Sequence, residues 1–542
     1  VILQLLLPLC LSLIISLACE SLVQPRPAPL LLRPRVTLYI HIATWLLLYA
    51  TAFLVLQRGW LSAGLLNVLH LVIVQSCRSK WSSLREPFLV QDFEYFLDAI
   101  RHPRLYVPFF GLGLAIAAST SGFLAFAAFL WWEPSLVSTH GAGSFLTSVA
   151  VIAAVGGLLL PFSLRRRPEI MLQPENDLYR LGLISFFWAY GLYPRRAIDP
   201  VKTPACFRHP DRQAVTTSSL PNIVIVQSEA FFDPRTWQPA LAQDLLGHWD
   251  ALKASSHAHG ELSVPVWGAN TVRSETAFLT GLSGSDLGMH QFNPYRQLAK
   301  QPVPNLVASL KRLGYRCVAV HPYPATFYCR DQVMPKLGFD EFIDIADFDH
   351  SDRNGQYIGD AAVARKVHTL LASATDAPLM VFVITMENHG PLHLETADPA
   401  WLQRLPEEIS GCLEPKDANT LAVYLRHLRN ADHMANELSH SLSQQPRHGL
   451  MCWYGDHVPI MEGVYEALGA PSGHSHYLLW STLPPRSRES IDSEVAEHPT
   501  NIENLAERLW QDLALFSQPR DPAESVESHG TEQQRIELQE QR

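Results

Sequence analysis

Five stretches in the first third of this 542-residue chain carry almost no charge: residues 1–18, 36–56, 61–74, 106–132 and 144–164. A helix needs about 20 apolar residues to cross the hydrocarbon of a bilayer, and only helices and closed barrels satisfy their backbone groups there. Most of the five reach or approach that length, so the pattern predicts an N-terminal bundle of about five transmembrane helices. The third stretch is short and holds Asn67 and His70, which leaves an interfacial or buried helix as a second reading of it. The first stretch can also be read as a secretory signal sequence. The four spans that follow, and the lack of a small-x-small cleavage pattern, favour an anchor.

The flanking charges pose a conflict. Arg26, Arg33 and Arg35 follow the first stretch, Arg78, Lys80, Arg85, Arg101 and Arg104 the third, and Arg165, Arg166 and Arg167 the fifth. By the positive-inside rule all three groups would be cytoplasmic, and so would the long C-terminal part. The rule is strongest for short loops and weak for large domains. The net charge of −10 and the lack of a long basic run outside these flanks exclude a nucleic-acid partner. Five of the eight cysteines lie beyond the spans. None has the CxxC or Cys/His spacing of structural zinc, and an odd number allows at most two bridges there.

Arginine, proline and mixed polar residues then take over, interrupted by LGLISFFWAYGL at 181–192. That insert is too short to span and reads as an amphipathic helix at the membrane surface. Buried-strand patterns follow at 222–227, 317–320, 379–385 and 450–454, separated by helical stretches such as 307–313 and 360–371. Strands alternating with helices predict an α/β domain around a mostly parallel sheet. The expected organisation is a transmembrane domain over 1–168, a juxtamembrane linker with an interfacial helix over 169–217, a catalytic domain over 218–517, and a disordered polar tail over 518–542.

Chemistry-bearing residues follow each strand. The exits read Ser228-Glu229, His321-Pro322-Tyr323, Glu387-Asn388-His389-Gly390 and Gly455-Asp456-His457. Ligands of open α/β sheets bind at the carboxyl ends of the strands, so these groups point to one shared site. Glu229, Asp456 and His457 offer the oxygen and nitrogen donors that suit Mn²⁺, Mg²⁺ or Zn²⁺. In GANTVRSETAFLTGL (268–282), Thr271 opens a helix. It reads either as a plain N-cap with Glu275 as a first-turn acid, or as a hydroxyl activated by metal coordination and placed at a phosphate-binding helix N-terminus. Once Thr271 is given the second role, Asn270 is the expected cap.

IVIVQSEAFFDP, GANTVRSETAFLTG, HPYPATFYCRDQVMPKLGFDEF, ITMENHGP and YGDHVPI occur in that order after the five spans. In this they closely resemble the lipoteichoic acid synthase and membrane phosphoglycerol transferase group of the alkaline phosphatase/sulfatase superfamily. The resemblance implies a sulfatase-like α/β fold and one divalent metal, usually Mn²⁺. It implies Glu229, Asp456 and His457 as metal ligands, with Thr271 as both a ligand and the nucleophile. Arg330 and His389 match the phosphate and headgroup contacts, Tyr328 stands where some members carry tryptophan, and His321 is a pocket candidate by position alone. Sulfate-ester hydrolysis is disfavoured, because Ser263-Val264-Pro265-Val266-Trp267 lacks the arginine of the C/S-x-P-x-R motif.

The implied reaction moves a glycerophosphate headgroup from a phosphatidylglycerol-like lipid to a glycan or polyglycerolphosphate acceptor. It proceeds through a phospho-threonine, on the outer face of a bacterial cytoplasmic membrane. Rival readings on the same residues are a metal-dependent phosphodiesterase and a phosphoethanolamine transferase. A non-enzymatic membrane sensor would be expected to lack some of the ligands, and all four are present.

Overall fold

The computed structural model describes residues 2–93, 112–208, 220–374, 377–483 and 498–516. The expected polar tail and the first residues of the fourth expected span, 106–111, lie outside them. Among the described residues, four helices are long and apolar enough to cross a membrane: Leu5–Leu22, Arg35–Leu56, Gly59–Leu84 and Ala142–Leu164. A further uncharged helix, Leu112–Trp132, falls in the fourth expected span.

Polar side chains inside the bundle join the first and third stretches. Asn67 Nδ2 donates to Ser12 Oγ at 2.8 Å and to the Ala63 carbonyl at 2.9 Å, and Trp45 Nε1 donates to the same Ser12 Oγ at 3.0 Å. The third stretch is therefore a full 26-residue helix with its polar residues turned inward. The first helix is built into the bundle through Ser12. Farther along, buried Glu20 pairs with Arg33 and lies 3.3 Å from His41 Nδ1, joining the end of the first helix to the start of the second.

The 181–192 insert differs from expectation. It contains a helix, Leu183–Gly191, but Leu183, Ile184, Ser185, Phe186, Ala189 and Tyr190 are all buried. Ser185 Oγ donates to the Thr37 carbonyl at 3.0 Å and Trp188 Nε1 to Thr44 Oγ1 at 2.8 Å, while Tyr190 packs on Phe292 of the soluble domain. The segment is a bridge buried between bundle and domain, because both neighbours offer it partners that lipid cannot.

The soluble domain is organised by one eight-stranded sheet. In chain order its strands are β1 (Asn222–Ser228), β2 (Ala258–Ser263), β3 (Arg316–Val320), β4 (Glu341–Ile343), β7 (Leu379–Ile384), β8 (Gly449–Gly455), β9 (Ser475–Ser481) and β10 (Thr500–Asn501). Two short strands, β5 (Arg353–Asn354) and β6 (Tyr357–Ile358), form a separate ribbon. The spatial order is β10-β2-β9-β8-β1-β7-β3-β4, with β8, β1, β7, β3 and β4 parallel and β9 antiparallel to both its neighbours. The central strands β1, β7 and β8 are buried along their whole length. Alternate residues feed two cores on opposite faces, Val224, Val381 and Trp453 on one and Ile225, Phe382 and Tyr454 on the other. Parallel pairing of β8, β1, β7 and β3 brings their carboxyl ends to the same edge of the sheet.

The bundle docks on that domain through the end of the Gly59–Leu84 helix. Ser82 Oγ donates to Glu462 at 3.0 Å, and Arg273 forks Glu86 at 2.9 and 3.1 Å. Lys80 reaches Glu86 at 2.8 Å and Asp92 at 2.6 Å.

Candidate active site

The exits of β1 and β8 lie side by side because the strands pair in parallel through Ser228 and Gly455. A side chain at Gly455 is impossible: a Cβ there would sit 1.8 Å from the Phe231 carbonyl oxygen. This close approach brings Glu229 beside Asp456 and His457, with donor atoms of all three within 4.8 Å of one another and all three residues buried. His457 Nε2 is 3.3 Å from Asp456 Oδ2 and 3.6 Å from Glu229 Oε1.

Each member is held from behind. The Glu229 backbone N–H donates to Thr385 Oγ1 at 2.9 Å, and the Ala230 N–H donates to Asp456 Oδ1 at 2.9 Å. Ser274 Oγ donates to the Asp456 carbonyl at 2.8 Å. His457 Nδ1 lies 3.1 Å from the Val458 carbonyl, which fixes the proton on Nδ1 and leaves Nε2 as a lone pair. Asp456 Oδ2 and His457 Nε2 are buried and have no hydrogen-bond partner. Buried polar atoms are rarely left unpaired, and two orphaned acceptors facing each other fit a divalent cation. Burial and the Asp456 charge push Glu229 well above the usual carboxylate range. Asp456 is raised by burial against the pull of His457, the Ala230 N–H and the Thr271 hydroxyl. A cation would relieve this repulsion.

Thr271 begins the Thr271–Thr280 helix, is buried at 8% exposure, and directs its hydroxyl to the Asp456 carboxylate. The turn before it depends on Gly268, whose φ is +72° and whose Cβ would lie 2.6 Å from Ile460 Cγ1 and 2.9 Å from the Ser83 carbonyl. Asn270 occupies the N-cap position in a left-handed conformation, but its side chain makes no capping bond. The expected capping role is therefore corrected: Asn270 turns the chain with its backbone, its carbonyl accepting the Arg273 N–H at 2.8 Å, while its side chain caps nothing.

Arg330 is 1% exposed and begins its own helix, Arg330–Leu337, after left-handed Tyr328 and Cys329. Its guanidinium is forked onto Glu275 through Nε and Nη2. Its Nη1 lies 3.1 Å from His321 Nε2 and its Cζ 5.5 Å from the Tyr328 ring centroid. His321 Nδ1 in turn faces the Ile384 carbonyl at 3.1 Å. Both His321 nitrogens are thus committed, and burial with the adjacent Arg330 charge holds it well below its usual range. The ring is thereby packed against the Arg330 guanidinium. His389 is half-buried, and its Nδ1 faces the Gly390 carbonyl at 2.6 Å. Burial is the main cause of its pKa falling to about 4.

The third strand exit divides. Glu387 turns to the other face, where its Oε1 pairs with His427 at 2.8 Å and its Oε2 accepts the Asp360 N–H at 2.6 Å. The residue that pattern reading undervalued is Glu275. It lies one turn after Thr271, is completely buried, and also accepts from Tyr295 Oη at 2.5 Å. Its i+4 spacing from Thr271 was the available signal.

Such a fold and such a site define a membrane-anchored member of the alkaline phosphatase/sulfatase superfamily. The sulfatase family model matches residues 221–507, more than half of the chain, and the chain belongs to that family. It is 25% identical over 456 residues to the capsular polysaccharide biosynthesis protein RkpI of Rhizobium meliloti, covering 81% of each chain. It is 27% identical over 161 residues to lipoteichoic acid synthase of Staphylococcus aureus, covering 29% of this chain and 23% of that protein. Among solved structures, the integral membrane lipooligosaccharide phosphoethanolamine transferase A of Neisseria meningitidis has the same fold. It superposes with a TM-score of 0.51 at 14% identity, over 92% of this chain and 94% of that one.

Proposed function

We propose that the chain is a membrane phosphoglycerol transferase. It moves a glycerophosphate headgroup from a phosphatidylglycerol-type lipid to a glycan or polyglycerolphosphate acceptor through a phospho-threonine at Thr271. The observation that carries this reading is the pair of orphaned buried acceptors on Asp456 and His457, set with Glu229 beside the Thr271 hydroxyl at a helix N-terminus. A divalent cation held by Glu229, Asp456 and His457, Mn²⁺ in the first instance, would lower the pKa of the Thr271 hydroxyl and offset charge on the phosphoryl oxygens.

In the first step the Thr271 Oγ–P bond forms, the bond from phosphorus to the diacylglycerol oxygen breaks, and the hydroxyl proton passes to that leaving oxygen. In the second, an acceptor hydroxyl forms its bond to phosphorus, the Oγ–P bond breaks, and the proton returns to Thr271. The Thr271 and Val272 N–H groups at the helix start and the Arg330 charge stabilise the phosphoryl oxygens in both steps. His389 accepts a hydrogen bond from a glyceryl hydroxyl through Nε2. The relatives named for capsular polysaccharide biosynthesis and lipoteichoic acid synthesis support a role in building cell-envelope polymers.

The reading places the domain on the extracytoplasmic face, where such acceptors accumulate. Three of the basic residues that argue otherwise are engaged within the protein: Arg33 with Glu20, Lys80 with Glu86 and Asp92, and Arg85 over the Trp267 ring. Purified protein with Mn²⁺ is expected to release diacylglycerol from phosphatidylglycerol and to pass the labelled headgroup to an added acceptor. Consumption of phosphatidylethanolamine alone would reassign the donor. Free glycerophosphate as the sole product, with acceptors present, would make the protein a hydrolase.

A further inference from the structure

A cavity of about 560 Å³ separates the end of the third membrane helix from the catalytic domain. Segments 84–87, 172–176, 263–267 and 472–474 wall it, together with Asn270 and Arg273 from the start of the helix that carries Thr271. We propose that this cavity is the acceptor subsite, and that it takes a neutral polyhydroxylated chain, a glycan, in preference to a polyanionic glycerolphosphate polymer. The inference rests on Thr271 being the nucleophile.

Charge decides against the polyanion. Two guanidiniums, Arg85 and Arg273, are matched by two carboxylates, Glu86 and Glu175. Arg273 is spent on Glu86, and the Arg85 guanidinium sits 5.7 Å from the Trp267 ring centroid. A chain of phosphates needs a surplus of cations, and this lining has none. Its amides suit sugar hydroxyls, which also donate and accept: Asn176 Nδ2 donates to Gln173 Oε1 at 2.8 Å, which leaves the Asn176 carbonyl and the Gln173 amide group for a ligand.

Asn270 walls the cavity and directly precedes Thr271, so the cavity borders the turn that carries the nucleophile and can deliver an acceptor hydroxyl to the loaded phosphorus. That hydroxyl oxygen bonds to phosphorus, the Thr271 Oγ–P bond breaks, and the hydroxyl proton moves to Oγ.

The test is the partition of the loaded enzyme between water and acceptor. Full-length protein in lipid nanodiscs is loaded with headgroup-labelled phosphatidylglycerol and Mn²⁺, then given neutral gluco- and galacto-oligosaccharides or glycerolphosphate oligomers. Asn176→Ala and Gln173→Ala are expected to lower the ratio of sugar transfer to hydrolysis by about tenfold, the worth of one well-made hydrogen bond. Glu175→Lys is expected to shift preference toward glycerolphosphate oligomers. An unchanged ratio in all three variants overturns the proposal, as does a wild-type preference for the oligomers. Slower loading with an unchanged ratio also overturns it and gives the cavity to the donor.

Calorimetry of the same oligosaccharides on Thr271→Ala protein keeps the two readings apart. A loss of affinity of about fivefold or more on adding Asn176→Ala supports the cavity, and equal affinity overturns it. A missing adduct in the wild type counts against Thr271 alone.

Discussion

Glu275→Gln keeps the size of the side chain and removes its charge. The Glu275 and Arg330 side chains are 0% and 1% exposed, and no other carboxylate bonds that guanidinium among the described contacts. The substitution therefore strands a buried cation, which costs about 3–5 kcal/mol and corresponds to a fall of roughly 6–12 °C in the melting temperature of a domain this large. Tyr295 loses its carboxylate partner at the same time. Removing both charges with Glu275→Gln and Arg330→Met is expected to restore much of the loss, because two neutral groups no longer need each other. Thermal unfolding of the four proteins of this cycle in detergent, followed by near-ultraviolet circular dichroism, measures the coupling. Activity is expected to be low in all three variants, since each removes Arg330 or its orientation. A melting temperature unchanged by Glu275→Gln, or strictly additive effects in the double variant, would refute the view that Glu275 exists to hold Arg330.

Four shorter predictions accompany this one. Burial opposes protonation of His427, but hydrogen bonds and charges from Glu387 and Glu395 outweigh it and raise the group above its ordinary 6.5. A raised folded-state value gives stability that is complete below about 6.5 and lost as pH climbs through the folded value, so urea midpoints should fall as pH rises above about 6.5, less steeply in His427→Gln. Glu86→Gln cuts the fork to Arg273 and is expected to slow turnover of a lipid donor by about tenfold while sparing a soluble phosphodiester, because it disturbs docking rather than the metal cluster. Gly455→Ala forces a Cβ against the Phe231 carbonyl and should abolish monodisperse folded protein in size-exclusion chromatography; a wild-type yield would contradict the packing. Alkaline phosphatase fused after Leu515 should be active, whereas fluorescence from a cytoplasm-only reporter there would reverse the topology.

The fold was legible wherever one period dominated. Uncharged runs marked the membrane helices, and the all-apolar cores of β1, β3, β7 and β8 marked the parallel centre of the sheet. Strands β2 and β9 escaped pattern reading, since AHGELS and SHYLLWS mix polar and apolar residues at positions that only pairing with each other defines. The 181–192 insert looked amphipathic in isolation, and its burial on two sides depends on Thr37, Thr44 and Phe292, all distant in sequence.

At the site, Glu229, Asp456 and His457 were legible because each directly follows a strand. His321 and Glu387 follow strands equally well, but the rotamers that send one behind Arg330 and the other to His427 are set by packing that linear spacing does not encode. Glu275 was hidden for the converse reason: an acid in the second turn of a helix is ordinary until a buried arginine from another segment is found against it.

The central claim is a covalent one, and mass spectrometry of the Thr271 peptide tests it most directly. After incubation with headgroup-labelled phosphatidylglycerol and Mn²⁺, the wild-type peptide is expected to carry a glycerophosphoryl group that Thr271→Ala cannot form, with diacylglycerol release lost in the same variant. An unmodified wild-type peptide during turnover, or undiminished turnover in Thr271→Ala, would contradict the account.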